Sequence, residues 1–399
     1  MINLWFHFDT TTADSGSLSK RHDNADFASC LNYLSSVCRC SPEIINCTNA
    51  RYTHTDIFLS ITDLNWPRLD TLILTGNNFP NMDSFLFGVG TRHRRLKVLN
   101  LSENRIRRID LQTFDNLTNL EHLILSRNQI FIDGADERAY QFLRRLSTLR
   151  ILELDDAFDK TATAYDLART IKFLLSNLNR LNRLEYLHLK NNRLTFLQPA
   201  TFCNVPSVQY LYLQDNRLES FGGSLINEKC TPSLTELYLN NNSLSRFSRF
   251  DLDKFDSDIH WNKFSFANNP FECYCELNPF IKWFKKNSHR IVDKTMTRCQ
   301  KAYPDRFVNS TLMKIPENAL KCDSERSTDY MHGIYVICGL AIVGMSVMLF
   351  CIFYANKRSL IRGFCCCWTK KGGAVNNFRV TSNGYQILDK EPEVKAEMV

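Results

Sequence analysis

Between residues 69 and 271, apolar and polar positions follow one figure, L-x-x-L-x-L-x-x-N-x-L. It returns from Leu69, Leu96, Leu120, Leu149, Leu184, Val208, Leu234 and Trp261, at steps of 24 to 35 residues. The clearest copies are LDTLILTGNNF, LKVLNLSENRI, LEHLILSRNQI, LEYLHLKNNRL, VQYLYLQDNRL and LTELYLNNNSL. Positions 1, 4 and 6 are apolar, and one copy alone cannot enclose them. Neighbouring copies must therefore stack to share a core. The central L-x-L triplets predict short strands that join as a parallel sheet, with equivalent positions about 4.8 Å apart on neighbouring strands.

The position-9 asparagines (Asn77, Asn104, Asn128, Asn192, Asn216, Asn242, Asn269) stand where the chain leaves each strand. A buried amide there can satisfy backbone groups of the turn and of the next repeat. In the fourth copy Ala157 replaces the asparagine and Asp159 occupies an apolar position, which predicts a local irregularity. The return path repeats as well: Ile106, Ile109, Phe114, Leu117 and Leu120 match Leu194, Leu197, Phe202, Val205 and Val208 in spacing. The longest step contains YDLARTIKFLLSNLNRL. Its Leu167, Ile171, Leu174, Leu175 and Leu178 form a helical apolar face, predicting a helix on the convex side.

From Ile334 to Tyr354 the chain runs 21 residues without a charge, which as a helix spans about 31 Å, a bilayer's hydrocarbon thickness. Lys357, Arg358 and Arg362 follow at once, so the expected orientation has the C-terminal tail in the cytosol and the rest outside a plasma membrane. The start, MINLWFHFDTTTADSGS, has only a short apolar run and no basic segment before it. An incomplete N-terminus or an unusual translocation route is expected.

Ten of the 15 cysteines precede residue 331, and Asn-x-Ser/Thr sequons at Asn46, Asn100, Asn116, Asn241 and Asn309 share that segment. Both features point to an oxidising, glycosylating compartment. Cys30, Cys38, Cys40 and Cys47 lie before the first repeat, in part as C-R-C-S-P-E-I-I-N-C. After the last come NPFECYCELNPFIKWF, Cys299 and Cys322. Cys203 and Cys230 occupy similar places on consecutive repeats, which predicts a convex-side bridge. The spacing contains no C-x-x-C and no paired histidines, so zinc is the weaker reading of the C-x-C motifs.

With both flanks in view, the chain resembles extracellular leucine-rich-repeat proteins with cysteine-rich N- and C-terminal caps and a single transmembrane helix. Neuronal adhesion proteins, Toll-like receptors, lamprey variable lymphocyte receptors and accessory subunits of potassium channels share this plan. The resemblance covers residues 28 to 355. It implies an α/β solenoid, a leucine-rich-repeat horseshoe with a parallel concave sheet and disulfide-stapled caps. It further implies pairing of Cys30 with Cys40, Cys38 with Cys47, Cys273 with Cys299 and Cys275 with Cys322. The expected organisation is an unstructured or incomplete N-terminus (1–27), an N-terminal cap (28–68), repeats (69–260), a final strand and C-terminal cap (261–322), a stalk (323–333), a transmembrane helix (334–354) and a cytosolic tail (355–399).

The net charge of +7 comes largely from the last 43 residues, where basic groups outnumber acidic ones two to one. The rest is nearly neutral, which argues against a nucleic-acid-binding protein. Nucleophile-elbow, zincin, phosphate-loop and dinucleotide motifs are all missing from the sequence, so the expectation is a binding protein, not an enzyme, with no cofactor and no metal.

On the expected concave face, column 3 reads Thr71, Val98, His122, Ile151, Tyr186, Tyr210, Glu236, Lys263. Column 5 reads Ile73, Asn100, Ile124, Glu153, His188, Tyr212, Tyr238, Ser265. Tyr186, His188, Tyr210, Tyr212 and Tyr238 gather there beside Glu153, Asp155 and Asp156, a patch suited to anchoring an extracellular protein ligand. The competing reading is a stacking ladder that serves stability alone. A glycan on Asn100 would shield the N-terminal half of this face. Arg92, Arg94, Arg95 and Lys97, with Arg105, Arg107 and Arg108, form a basic cluster that could take heparan sulfate or could be solvated surface.

The tail is too short for a kinase or a Toll-type signalling domain. Cys365, Cys366 and Cys367 lie in a basic juxtamembrane setting that favours palmitoylation. Y-Q-I-L at Tyr385 resembles an endocytic Y-x-x-Φ signal, and the terminal E-M-V resembles a PDZ ligand, so the expected tail partner is an adaptor or PDZ protein. The expected function is a plasma-membrane adhesion or recognition receptor. The alternative is an accessory subunit of an ion channel or receptor complex.

Overall fold

The computed structural model describes residues 30, 34, 36–88, 93–131, 141–176, 181–226, 230–257 and 262–366, with side chains described to residue 324 and again over 331–354. Ten strands form one sheet: β1 (Arg39–Cys40), β2 (Ile44–Asn46), β3 (Thr71–Ile73), β5 (Val98–Asn100), β7 (His122–Ile124), β8 (Ile151–Glu153), β9 (Tyr186–His188), β10 (Tyr210–Tyr212), β11 (Glu236–Tyr238) and β12 (Lys263–Ser265). β1 and β2 run antiparallel, and every later neighbour is parallel. On the opposite side of the early coils, β4 (Asn81–Met82) pairs with β6 (Arg108–Ile109).

The register places equal repeat positions side by side, for example Glu153 beside His188, His188 beside Tyr212 and Tyr212 beside Tyr238. In β3, β5 and β7 to β11 the middle residue is buried and its neighbours are partly exposed. Leu72, Leu99, Leu123, Leu152, Leu187, Leu211 and Leu237 thus line one continuous core. The sheet has two more strands than there are obvious repeats, because the N-terminal cap contributes the antiparallel β1 and also β2, which forms a coil of its own. There Cys47 stands at the leucine position and Ala50 at the asparagine position, which hides the coil from pattern matching.

All seven position-9 asparagines are buried and hydrogen-bonded. Asn128 shows the geometry: its Oδ1 accepts the backbone N–H groups of Asn104 and Ile106 at 3.0 Å each, and its Nδ2 donates to the carbonyls of Leu101 (3.0 Å) and Leu125 (2.7 Å). Each amide thereby ties its own strand exit to the preceding coil, satisfying groups that would otherwise be costly to bury. The fourth copy keeps the strand in register despite lacking this residue. Ala157 is fully buried, and its N–H is taken by Asn192 Oδ1 at 3.0 Å. The irregularity is confined to the exit, where Phe158 is buried one position early and the Asp159 carboxylate accepts from Thr161.

The insertion forms a helix, α1 (Ala164–Ser176), with Leu167, Ile171, Leu174 and Leu175 buried. Leu178 lies outside the described residues. Beneath the early coils, rings of Phe58, Phe87, Phe114 and Phe142 touch in series at 4.9 to 6.2 Å between centroids. The last coil replaces leucines by Phe264 and Phe266, which pack against Phe280, Trp283 and Phe284 of α2 (Asn278–Lys286). This aromatic plug covers the end of the stack, as an open solenoid requires.

Five disulfides join Cys30–Cys40, Cys38–Cys47, Cys203–Cys230, Cys273–Cys299 and Cys275–Cys322. The C-x-C cysteines are therefore committed to sulfur bonds and are not available to zinc. β13 (Phe271–Cys273) pairs in parallel with β14 (Cys299–Ala302) inside the C-terminal cap.

The contacts divide the chain into two units, Met1–Ser327 and Thr328–Val399. A helix, α3 (Asp323–Cys366), carries the apolar stretch Met331–Tyr354, 24 residues with a mean hydropathy of 2.7 and none of the span buried. Length and composition suit it to cross a bilayer. Cys365 and Cys366 end this helix without described side chains. Cys367, Tyr385, the C-terminal motif and residues 1–29 lie outside the described residues.

Candidate functional site

Short strands hold side chains at fixed spacing, and aromatic residues at equal repeat positions therefore stack. Tyr186 and Tyr210 lie with ring centroids 4.2 Å apart and planes within 3°. In the adjacent column His188 stacks on Tyr212 at 4.2 Å, and Tyr212 on Tyr238 at 4.9 Å. Lys190, two residues beyond β9, holds its ammonium 5.8 Å from the Tyr212 ring centroid. At the far end the Tyr238 hydroxyl donates to Glu236 at 2.7 Å, and Lys263 reaches the same carboxylate at 2.7 Å. All five predicted aromatic and histidine residues thus occupy one surface over β9 to β11. Because the rings cover each other's faces, what they present outward is edges and hydroxyls.

The acidic border lies one strand earlier. Glu153 shares a 2.8 Å hydrogen bond with His122 Nε2. Asp155 accepts the Lys190 backbone N–H at 2.7 Å and pairs with its ammonium at 3.1 Å. His188 Nδ1 is 3.9 Å from Asp155 and, though buried, has no hydrogen-bond partner among the described residues.

Burial dominates the electrostatics here. It pushes the His188 imidazole down to about 4, with the Glu153 carboxylate opposing and Lys190 and His122 adding to the fall. Asp155 is raised by burial, partly offset by Lys190. Glu153 also feels burial, but the His122 hydrogen bond and the neighbouring His188, His122 and Lys190 bring it below the usual carboxylate value. Tyr212 is pushed up to about 12 by burial and by Glu236. Tyr238 is raised by burial and by its bond to Glu236, and Tyr186 by burial and by Tyr210. At neutral pH the rings of Tyr186, His188, Tyr212 and Tyr238 are therefore uncharged.

Glu153, Asp155 and His188 have donor atoms within 4.8 Å of one another, close enough to hold a metal ion. Cysteine and histidine spacing could not reveal this group, since its members come from two coils. In the structure the Lys190 ammonium already supplies a cation to Asp155. Lys190 was missed in the sequence, and Glu236 and Lys263, although read in column 3, were not joined to the patch.

The basic residues are distributed differently from the expected cluster. Arg108 pairs with Asp83 and Asp110 at the β4–β6 ribbon, and Arg107 bonds Gln129. Arg94, Arg95 and Lys97 instead border the upstream ends of the main strands. The single basic cluster of the sequence is therefore two surfaces, because ten residues carry the chain from one side of a coil to the other. Arg92 lies outside the described residues. Asn100 occupies its predicted column at the end of β5, where its Oδ1 accepts from the Ser102 N–H at 2.9 Å and hydroxyl at 2.6 Å. Its Nδ2, the atom a glycan would join, faces no partner among the described residues.

The leucine rich repeat family model matches residues 67–130 and 176–218. Trophoblast glycoprotein of Macaca fascicularis is 23% identical over 334 residues, covering 82% of this chain and 76% of its own length. The Mus musculus protein of that name is 24% identical over 309 residues, 74% of this chain and 70% of its own. Toll-like receptor 6 of Bos taurus is 26% identical over 290 residues, 70% of this chain but 35% of the receptor. The crystal structure of human trophoblast glycoprotein superposes with a TM-score of 0.60 at 23% identity, covering 72% of this chain and 98% of that one. That likeness is one of fold.

Proposed function

We propose that this chain, a leucine-rich-repeat protein closed by disulfide-bonded caps and carrying one helix of membrane-crossing length, is a cell-surface recognition receptor. It binds an extracellular protein through the ring ladder on β9 to β11. The observation that carries this reading is the pre-ordered patch: five ring side chains already immobilised by stacking, flanked by Glu153, Asp155 and Lys190. Side chains ordered before binding lose little further entropy on association, and tyrosine edges combine apolar contact with hydroxyl groups. Stacking for stability and binding are therefore compatible uses of the same residues.

Membrane orientation is proposed with the repeats outside. The five disulfides require an oxidising compartment, and Lys357, Arg358 and Arg362 follow the apolar span. On that orientation the tail is cytosolic, with Cys365 to Cys367 available for palmitoylation and the terminal E-M-V for a PDZ adaptor. Relatives that include receptors by name support recognition as the general role.

The test is proximity labelling on intact cells expressing the full chain, comparing wild type with Tyr212→Ala/Tyr238→Ala at matched surface levels. Loss of specific labelled proteins, with Tyr212→Phe retaining them, is expected. An unchanged set of labelled proteins would overturn the assignment of the binding face.

A further inference from the structure

A groove of about 880 Å³ runs along the upstream ends of the strands in the first half of the sheet. All of its lining except Arg94 comes from the two columns that flank the first repeat position, so neighbouring coils place their charges in a row at strand spacing. No apolar side chain lines it. Six of its lining residues are basic and three acidic.

The pairing within the groove is uneven. Arg68 is paired with Glu43, Lys97 with Glu121 at 3.4 Å, and Arg150 with Glu185, outside the lining, at 2.8 Å. Arg94, Arg95 and Arg183 are exposed and have no ion pair among the described residues. Asn119 of the next coil donates to the Arg94 carbonyl at 2.6 Å, anchoring that turn's backbone beneath the free guanidinium groups.

We infer that this groove is a binding site for a sulfated glycosaminoglycan, separate from the ring ladder. Three unpaired guanidinium groups with fork-shaped donors suit sulfate and carboxylate oxygens, and their linear placement suits a polymer that repeats its anions along its length. An acidic protein segment is the weaker occupant. Protein interfaces are centred on apolar and aromatic anchors, and this lining offers none. The lining runs from Glu43 to Arg183, which precedes β9 on its own coil, and it contains none of the ring residues of β9 to β11.

The test measures binding of the full-length chain, in detergent micelles, to immobilised heparin. Arg94→Ser/Arg95→Ser/Arg183→Ser is expected to weaken binding roughly tenfold or more and to lower the salt concentration needed for elution. Arg105→Ser/Arg107→Ser/Arg108→Ser removes the same charge from other positions and is expected to have a much smaller effect. Melting curves of both variants establish that each is folded. Equal losses in the two variants would reduce the effect to net charge and overturn the assignment, as would undiminished binding by the groove variant. Competition by polyglutamate as strong as that by heparin would replace the polysaccharide with an acidic protein, and de-sulfated heparin binding equally well would also refute it. None of these outcomes touches the ring-ladder reading, because no ladder residue is altered.

Discussion

Acidification should loosen the recognition face in a defined pH window, through His188. Its folded value of about 4 lies below the ordinary 6.5, and a difference of about 2.5 units corresponds to about 3 kcal/mol. The sign follows from which state binds the proton. Above pH 6.5 the imidazole is neutral whether folded or unfolded, and its contribution is complete. Between 6.5 and about 4 the unfolded chain takes up a proton that the buried ring refuses, so stability falls with pH and then levels off. Glu153, lowered in the folded state, adds a loss at still lower pH, while Asp155, raised, works in the opposite direction. Lys190 faces the site through Asp155, and His122 through Glu153.

The assay is thermal unfolding of the full-length chain in micelles from pH 7.5 to 4, for wild type and His188→Gln. The difference between the two curves isolates the imidazole. Wild type should lose about 5 °C or more relative to the variant across the window. A difference that stays flat from pH 7.5 to 4 would show that His188 is not held neutral by burial, and the reasoning would fail.

Asn128→Ala should destabilise by about 3 kcal/mol or more, because two N–H groups and two carbonyls lose their buried partner; denaturant midpoints showing a loss below about 1 kcal/mol would contradict the amide-ladder account. Cys203→Ala/Cys230→Ala opens a closure of 27 residues and should cost about 3 kcal/mol while the chain stays folded, as circular dichroism and melting can check. Tyr212→Ala removes two ring contacts and a cation–π contact and should cost about 2 kcal/mol or more, whereas Tyr212→Phe should cost little; equal losses would place the effect in the hydroxyl instead.

Much of this protein was legible in one dimension because an in-register parallel sheet translates repeat position directly into spatial neighbourhood. The columns that hold Tyr186 beside Tyr210, and His188 beside Tyr212 and Tyr238, follow from counting. So do the buried asparagines, whose role is set by the same position in every coil. The coil β2 escaped because cysteine and alanine stand where leucine and asparagine mark the others.

What the tertiary structure alone decided is how side chains from different positions meet. Lys190 turns over Tyr212, the His188 Nδ1 is buried 3.9 Å from Asp155, and Arg183 joins Arg94 and Arg95 across several coils. The basic run near residues 92–108, continuous along the chain, is divided in space because a coil completes its circuit in about two dozen residues. The linear pattern determines which residues recur and so which can form a core. Burial, pairing and charge depend on distances between coils, which exist only once the stack has closed.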